Sequence, residues 1–190
     1  MTGKGSLNHN SRKFHAKNTD PNRTHWNVEY CNEDIKDVYH ELFDDALKRY
    51  NDKQTRKDRK IDDYYEKIRS GKQEKLFHEV ILQIGDKDNM GSETMEGQLA
   101  AKILDEYMKG FQERNPTLRV FAAHLHLDEA TPHLHIDFIP YVTGSKRGLD
   151  TRVSLKQALS SLGFKGGSRS ETELNQWVQS EKQKLAMVMR

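Results

Sequence analysis

The sequence has few residues of the kinds that cross-link a chain or insert it into a membrane. Only one of the 190 residues is cysteine, Cys31, so the chain can form neither an intrachain disulfide nor a cysteine-based zinc cluster. No apolar run approaches the roughly 20 residues that span a bilayer, and no signal peptide opens the chain. These absences predict a protein of a reducing cytoplasm that makes no membrane contact.

Net charge is also small, because 31 Lys and Arg stand against 29 Asp and Glu, but the charges are unevenly distributed. Residues 1–25 contain five basic residues and one acidic residue, and residues 48–60 contain seven basic residues and two acidic ones. Basic clusters of this kind can bind phosphate through counterion release. A solvated helix face is the stronger explanation for residues 48–60.

Hydrophobic periodicity predicts an α+β fold, in which an antiparallel sheet carries helices on one face and a helical segment ends the chain. Residues 1–150 form the predicted core, and residues 151–190 form a helical part of the same domain. Both ends of the sequence are abrupt, as in a fragment of a longer protein. The predicted strands are 24–30, 75–86, 118–128 and 133–144. The first predicted helix is capped by Asn32 and continues to about Tyr50, and the others cover 61–70, 93–116, 154–162 and 171–190.

The last two strands place several histidines on one face of a hairpin. Side chains alternate across a strand, so His124 and His126 share a face of the first strand, and His133, His135 and Asp137 share a face of the second. The leucines and isoleucines between them point the other way. The amphipathic helix over 93–114 can cover this apolar set, with Leu99, Ile103, Tyr107 and Phe111 in register.

Three of these histidines, His126, His133 and His135, can converge on one ion, because cross-strand neighbours lie within about 5 Å. Neutral imidazole suits first-row divalent metals, and three protein ligands leave coordination positions open for a phosphate oxygen. A single buried histidine is more often a core residue, but a set on one face favours a metal site. His124 is expected at its edge, and Asp137 is expected to orient a ligand imidazole.

The segment His126–Pro140, HLDEATPHLHIDFIP, resembles the signature of the MobV (Mob/Pre) relaxases. These plasmid mobilisation and recombination enzymes belong to the HUH endonuclease superfamily, named for two histidines that flank one hydrophobic residue. Here that pair is His133-Leu134-His135. Two further segments occur in the family order: His9–Arg12 resembles the HNxR motif, and Pro21–Asn27 resembles Pro-x-Arg-x-His-x-Asn.

The resemblance implies an HUH-type sheet and a Mn²⁺ or Mg²⁺ ion held by His126, His133 and His135. It also implies that one strand is cut at a plasmid transfer origin in the bacterial cytoplasm, leaving the enzyme on the 5′ end. In this family the histidine of HNxR, here His9, is the expected nucleophile. Only eight residues precede it, so the usual first strand of the sheet is expected to be missing, replaced or very short.

Roles for other residues follow from their chemistry. Glu129 is the candidate partner that accepts a hydrogen bond or a proton from His9, and Asp128 is expected to cap the hairpin turn. Tyr64 and Tyr65 are the rival nucleophiles, and Trp26 is more often a core residue than a base-stacking one. The predicted DNA contacts are Asn10, Arg12, Arg23, His25 and Asn27, together with Lys146, Arg147 and Arg152 beside the nick.

Two other functions remain open at this point. A three-histidine site with a nearby glutamate also suits a zinc-type phosphodiester hydrolase, with Zn²⁺ activating water. The third candidate is a module that binds the origin without cutting it. The predicted partner is single-stranded or hairpin DNA of a transfer origin, with dimerisation expected through a missing carboxyl-terminal region.

Overall fold

The computed structural model describes residues 2–3 and 6–189 of the chain. This part contains seven α-helices and six β-strands. In chain order these are β1 (Thr2–Gly3), α1 (Leu7–Asn10), β2 (Val28–Asn32), α2 (Ile35–Asp52), α3 (Tyr64–Ser70), β3 (His78–Gln83), α4 (Met95–Lys109), α5 (Phe111–Arg114), β4 (Leu118–His126), β5 (His133–Val142), β6 (Arg152–Val153), α6 (Leu155–Ser161) and α7 (Glu173–Val188).

The strands form one antiparallel sheet in the order β1-β3-β5-β4-β2, and β6 pairs with the far end of β5. The strand with the two histidines, β5, is therefore central. Residues Thr2–Gly3 of β1 pair with Val80 and Glu79 at one edge, so the strand described there is very short. The predicted α+β class and antiparallel sheet are confirmed.

One face of the sheet carries the larger hydrophobic core. Alternate residues of β3, β4 and β5, such as Leu82, Leu125 and Leu134, pack under α4, α5, α6 and α7. Trp177 of α7 is fully buried in this core, and its indole N–H donates to Asn115. The carboxyl-terminal helices therefore share a core with the sheet.

The opposite face, which carries the histidines, is also partly covered. Phe121 of β4 and Ile139 of β5 pack under α2 and α3, around Phe43 and Tyr64. The helical cover thus extends beyond the single face expected from the sequence. Because α2 and α3 cover only the end of this face near Ile139, the end that bears His133 is left to the polar site.

Local predictions in the first third of the chain need correction. Residues 24–26 form a 3-10 turn rather than the start of a strand, and β2 begins only at Val28. The segment expected to be loop contains the single-turn helix α1. Helix α2 is capped by Asp34, whose carboxylate accepts the N–H groups of Lys36 and Asp37, and not by Asn32.

The predicted apolar face of helix α4 packs on the sheet at Tyr107, and Ile103 contacts the same core, but Leu99 does not. Leu99 is 59% exposed, whereas Ala100 and Ala101 are buried. A Cβ on Gly97 would lie only 1.9 Å from the carbonyl oxygen of Gly91. Small residues therefore allow the start of α4 to pack closely against the preceding loop, which rotates Leu99 outward.

None of the helices in the described residues has the length and apolar character needed to cross a membrane.

Candidate metal centre and active site

Three imidazoles converge at the end of the β4–β5 hairpin. In the sheet register His126 lies opposite His133, and His135 is the next residue on the same face of β5. One nitrogen from each of these rings lies within 4.8 Å of the other two. The three rings named from the sequence thus converge as a set that could hold a metal ion, here called the metal set, while His124 lies at its edge against Glu29, 3.2 Å away.

The second nitrogen of each ligand imidazole has a hydrogen-bond acceptor. Nε2 of His126 donates to the backbone carbonyl of Asn10 at 2.8 Å, and Nδ1 of His133 donates to that of Thr131 at 2.8 Å. Nδ1 of His135 donates to the carboxylate of Glu79 at 2.7 Å. Such partners fix the tautomer of a metal-binding histidine and aim its free nitrogen.

The free nitrogens suit a divalent cation. Nδ1 of His126 and Nε2 of His135 are buried and have no hydrogen-bond partner among the described residues. Burial lowers the pKa of His126 to about 2 and also lowers the pKa of His133, so both rings are neutral at physiological pH. Neutral imidazole is the form that ligates metal, and unpaired buried nitrogens are costly without a ligand. The residues present therefore fit a metal ion.

Asn10 connects the metal set to two buried carboxylates. Its side-chain amide donates to Glu79 at 2.8 Å and to Asp137 at 3.1 Å. Burial and the neighbouring Glu79 raise the pKa of Asp137 to about 7. Burial also acts to raise the pKa of Glu79, but hydrogen bonds from His135 and Asn10 lower it overall. The backbone carbonyl of Asn10 and the carboxylate of Glu79 thus support His126 and His135 from behind. Asp137 contacts the side-chain amide of Asn10 and not an imidazole, which corrects the expectation that it orients one directly.

His9 lies beside the metal set, on the single turn of α1. Its Nε2 is 3.3 Å from Oε1 of Glu129, and its ring centroid is 6.1 Å from that of His126. The same Glu129 oxygen is 3.7 Å from Nε2 of His133. His9, Glu129, His133 and His135 therefore line one cleft of about 330 Å³, together with Asn18, whose amide donates to Glu129.

Arg12 holds α1 against the loop between β4 and β5. Its guanidinium forms two hydrogen bonds with Asp128, at 2.9 and 2.5 Å, and one with Glu129 at 2.8 Å. It also contacts Nε2 of His9 at 3.2 Å and donates to its carbonyl at 2.9 Å. Burial acts to raise the pKa of Asp128, but hydrogen bonds from Arg12, Asn27 and Thr24 lower it to about 2. Asp128 is therefore an anchor for α1 rather than the turn cap expected from the sequence.

Four of the predicted DNA contacts have protein partners instead. Asn10 is buried beneath the site, and the guanidinium of Arg12 forms bidentate hydrogen bonds with Asp128. Arg23 binds Asp20 and the carbonyls of the 127–129 loop, and Asn27 accepts the N–H groups of that loop. Their polar groups serve the fold because the segment that carries them packs under the site. His25 is exposed beside Trp26, which is 38% exposed in a turn and not in the core.

The other three predicted DNA contacts lie far from the histidines. Arg152 pairs with Val142, the last residue of β5, whereas His135 is near the start of that strand. Seven residues at about 3.3 Å each separate the two positions by roughly 23 Å. Lys146 and Arg147 belong to the loop that leads to β6. These residues therefore lie away from the histidines, since the length of β5 keeps them apart.

The rival nucleophiles are placed outside the cleft. Tyr64 is buried in the core under α2 and α3, where its hydroxyl accepts the N–H of Val153 at 3.1 Å, and burial raises its pKa. Tyr65 packs against the ring of Tyr39. Neither tyrosine is among the residues that line the histidine cleft.

Sequence reasoning missed three residues of the site. Glu79 stands in the apolar strand HEVILQ, where a carboxylate facing the polar side of the sheet was the available signal. Asn18 lies in a loop and carried no signal. Phe14 follows the HNxR segment; it is 51% exposed, and its ring centroid is 5.9 Å from that of His9.

This fold and this site define the HUH class: two histidines flank one hydrophobic residue on a central strand, and a third histidine stands opposite them. The chain belongs to the plasmid recombination enzyme family, Mob_Pre, whose family model matches residues 5–186. The resemblance to MobV (Mob/Pre) relaxases is thereby confirmed, and the enzyme class is that of a relaxase.

Solved structures of the MobM relaxase domain (MOBV; Mob_Pre) are similar to this chain. One is a Mn-bound crystal structure with a 22-nucleotide oriT DNA of plasmid pMV158, at pH 5.5; it is 24% identical, covers 95% of this chain and 77% of that chain, and gives a TM-score of 0.52. A second, at pH 4.6, is 22% identical with the same coverage and a TM-score of 0.49. The first likeness shows a shared fold. Among curated proteins, none matches the chain.

Proposed function

We propose that this protein nicks one strand of DNA at a plasmid transfer origin by metal-assisted transesterification, with His9 as the nucleophile. The proposal depends above all on one observation: His9 and Glu129, 120 residues apart in sequence, meet at 3.3 Å beside the three-histidine set. Relaxase domains of the same family, solved with Mn and oriT DNA, support manganese as the ion and origin DNA as the substrate.

His126, His133 and His135 would hold the divalent ion, which supplies a Lewis acid that polarises the scissile phosphate and offsets its developing charge. Three protein ligands leave room for phosphate oxygens. The acceptors on the far side of these rings, from Asn10, Thr131 and Glu79, keep the rings in the tautomer that binds metal. We infer Mn²⁺ or Mg²⁺ in the cell.

In the chemical step, one ring nitrogen of His9 bonds to phosphorus and the bond from phosphorus to the 3′ oxygen breaks. The 3′ oxygen takes up a proton from solvent, and the proton on the other ring nitrogen of His9 passes to Glu129. The product is a phosphoramidate between His9 and the 5′ phosphate. Arg12 positions both partners, because it contacts His9 and Glu129 at the same time.

Single-stranded DNA would enter past exposed residues at the rim of the cleft. Phe14 offers an exposed ring beside His9, and base–aromatic stacking contributes about 1–3 kcal/mol per base. His25 and Trp26 offer further exposed rings. The hairpin form of the substrate and dimerisation stay predictions. We propose the bacterial cytoplasm as the place of the reaction, because that is where plasmid DNA lies.

A zinc-type hydrolase and a non-cleaving origin-binding module remain the alternatives. A hydrolase would use Glu129 to activate water and would release free ends without a protein adduct. A binding module would bind DNA equally well after chelation or after loss of His133 and His135. The position of His9 beside Glu129 favours transesterification over both.

The test is adduct formation with a random-sequence pool of single-stranded oligonucleotides labelled at the 3′ end, in the presence of Mn²⁺. A denaturing gel should retain label on the wild-type protein, and sequencing of the retained DNA should reveal the cut site. His9→Ala should abolish the adduct, while His15→Ala, an exposed histidine nearby, should keep it. The adduct should be acid-labile, as phosphoramidates are. An adduct that persists in His9→Ala would refute the assignment.

A further inference from the structure

A second cleft, of about 720 Å³, opens at the other end of the histidine-bearing face of the sheet. Its floor belongs to the core under α2 and α3, including Ile61, Leu149 and Val153. Its walls are the end of α3, the segment after Gly71 and the loop that leads into β6. The basic residues of its lining are Lys67, Lys72, Arg147 and Arg152.

These four cations face a single carboxylate in the cleft, that of Glu74. Burial raises the pKa of Glu74 against an opposing electrostatic effect of Arg152, so this one carboxylate offsets part of the charge of the four cations. Within the described residues, none of the four cations forms an ion pair with a carboxylate, and Arg152 donates only to the hydroxyl of Ser145. The cleft is therefore a concave surface with uncompensated positive charge, which attracts a polyanion.

The basic cluster of residues 48–60 behaves differently. Lys48 is paired with Asp52, Arg49 with Asp150 and Arg56 with Asp58. Three of the seven cations of that cluster are thus paired within the protein, whereas none of the four cations of the cleft forms an ion pair within the described residues.

The cleft and the metal set lie on the same face of the sheet but at opposite ends of it. Tyr64 and Val153, which line the cleft, belong to the core beneath Ile139, and Ile139 points to the same side as His135 and His133. The distance along β5 is roughly 23 Å, which one strand of a duplex covers in about seven phosphates at 3.4 Å each and an extended single strand covers in fewer. A strand held at the histidines can therefore continue to the cleft.

We propose that this second cleft binds the sugar–phosphate backbone of the DNA substrate at a point distant from the cut. Lys67, Lys72, Arg147 and Arg152 are the contacting groups. Only the identity of the polyanion rests on the proposed nicking function. The cleft contributes affinity without taking part in the reaction, because no residue of its lining touches the histidine cleft.

The test compares the full chain with the variant Lys67→Ala/Lys72→Ala/Arg147→Ala, which spares the half-buried Arg152. The probe is a fluorescein-labelled single-stranded DNA of random sequence, and binding is followed by anisotropy over a range of KCl. The matched control is Lys165→Ala/Lys182→Ala/Lys184→Ala, which removes the same charge near or on α7. Each single-strand phosphate contact contributes roughly 0.7 to the salt slope, so the cleft variant should lower the slope by about 2. With equal binding at about 1 M KCl, this slope difference corresponds to a loss of affinity of roughly 100-fold at about 0.1 M KCl.

A second measurement identifies the contact directly. DNA should protect Lys67 and Lys72 from acetylation in the wild-type protein, while Lys182 and Lys184 stay reactive. At saturating DNA the cleft variant should form adduct as the wild type does. Equal slope losses in the two triple variants would show that the salt slope depends on net charge alone and would overturn the proposal. A lack of protection at Lys67 and Lys72 would overturn it as well. Absence of adduct in the wild type would instead count against the nicking function and leave the salt slopes interpretable.

Discussion

Loss of Arg12 should be among the most damaging single changes outside the metal set. Its side chain is only 8% exposed, and it pairs with Asp128, which is fully buried. Removal of one partner from a buried ion pair costs about 3–5 kcal/mol, because the other charge is left without compensation. Asp128 would keep its bond from Thr24, so we expect Arg12→Met to lower the free energy of unfolding by about 3 kcal/mol, at the lower end of that range.

Urea unfolding at neutral pH measures this change, and a double-mutant cycle assigns it to the pair. Asp128→Asn removes the buried charge, so the double variant should lose less than the sum of the two single losses, with a coupling energy of about 2 kcal/mol. Arg69→Met is the matched control: Arg69 also pairs with a carboxylate, that of Glu66, but it is exposed and should cost less than about 1 kcal/mol.

Adduct formation provides the functional readout for the same variants. Arg12 contacts both His9 and Glu129, so Arg12→Met should also slow adduct formation in protein that is still folded. Additive losses of Arg12 and Asp128, or a loss in Arg12→Met no larger than in Arg69→Met, would refute the view that this pair anchors α1.

Three further predictions concern other parts of the molecule. Glu79→Ala should weaken Mn²⁺ binding by about 10–100-fold in calorimetric titrations, because His135 loses the acceptor that orients it, while Glu79→Gln should retain most of the affinity. Phe14→Ala should raise the KM for single-stranded DNA and leave kcat largely unchanged, and Phe14→Trp should restore it. Burial lowers the pKa of His78 to about 4, so its neutral form is favoured in the folded state; stability is complete above the unfolded pKa of about 6.5 and is lost as pH falls toward 4. At pH 5 the loss in the free energy of unfolding reaches about 2 kcal/mol. Urea unfolding at pH 7 and pH 5 should therefore show a fall in wild-type stability that is smaller by this amount in His78→Phe.

Each of these predictions has an outcome that contradicts it. Equal Mn²⁺ affinity in Glu79→Ala and wild type would show that the hydrogen bond to His135 does not orient the ring. A loss in Phe14→Ala confined to kcat would place Phe14 in the chemical step rather than in DNA binding. His78→Phe with the same pH dependence as wild type, and as the exposed control His15→Phe, would show that other groups carry the acid sensitivity.

The hairpin and its histidines could be predicted from the sequence because both depend on local rules. Alternation along a strand puts His133 and His135 on one face, and a short connection brings His126 opposite them. The apolar residues between them require a helical cover, which α4 supplies. The same reasoning failed for Leu99, because close packing at Gly97, which no periodicity reveals, sets the rotation of that helix.

The roles of polar residues outside the hairpin could not be predicted in the same way. Asn10 and Arg12 have side chains suited to nucleic acid, yet both turn inward, because buried carboxylates at Glu79 and Asp128 need donors. Arg147 follows the hairpin closely in sequence and still ends far from the histidines. A sequence shows which groups can bind phosphate but not which buried acceptors compete for them.

The three-histidine set was thus determined by the sequence alone, through the period of a strand and the shortness of one turn. Only the tertiary structure brings His9 to Glu129, turns Asn10 and Arg12 into supports of the site, and moves the basic residues after β5 into a separate cleft. The physical reason is range: strand alternation and turn closure act over a few residues, whereas burial, charge pairing and the length of β5 depend on contacts between segments more than 60 residues apart.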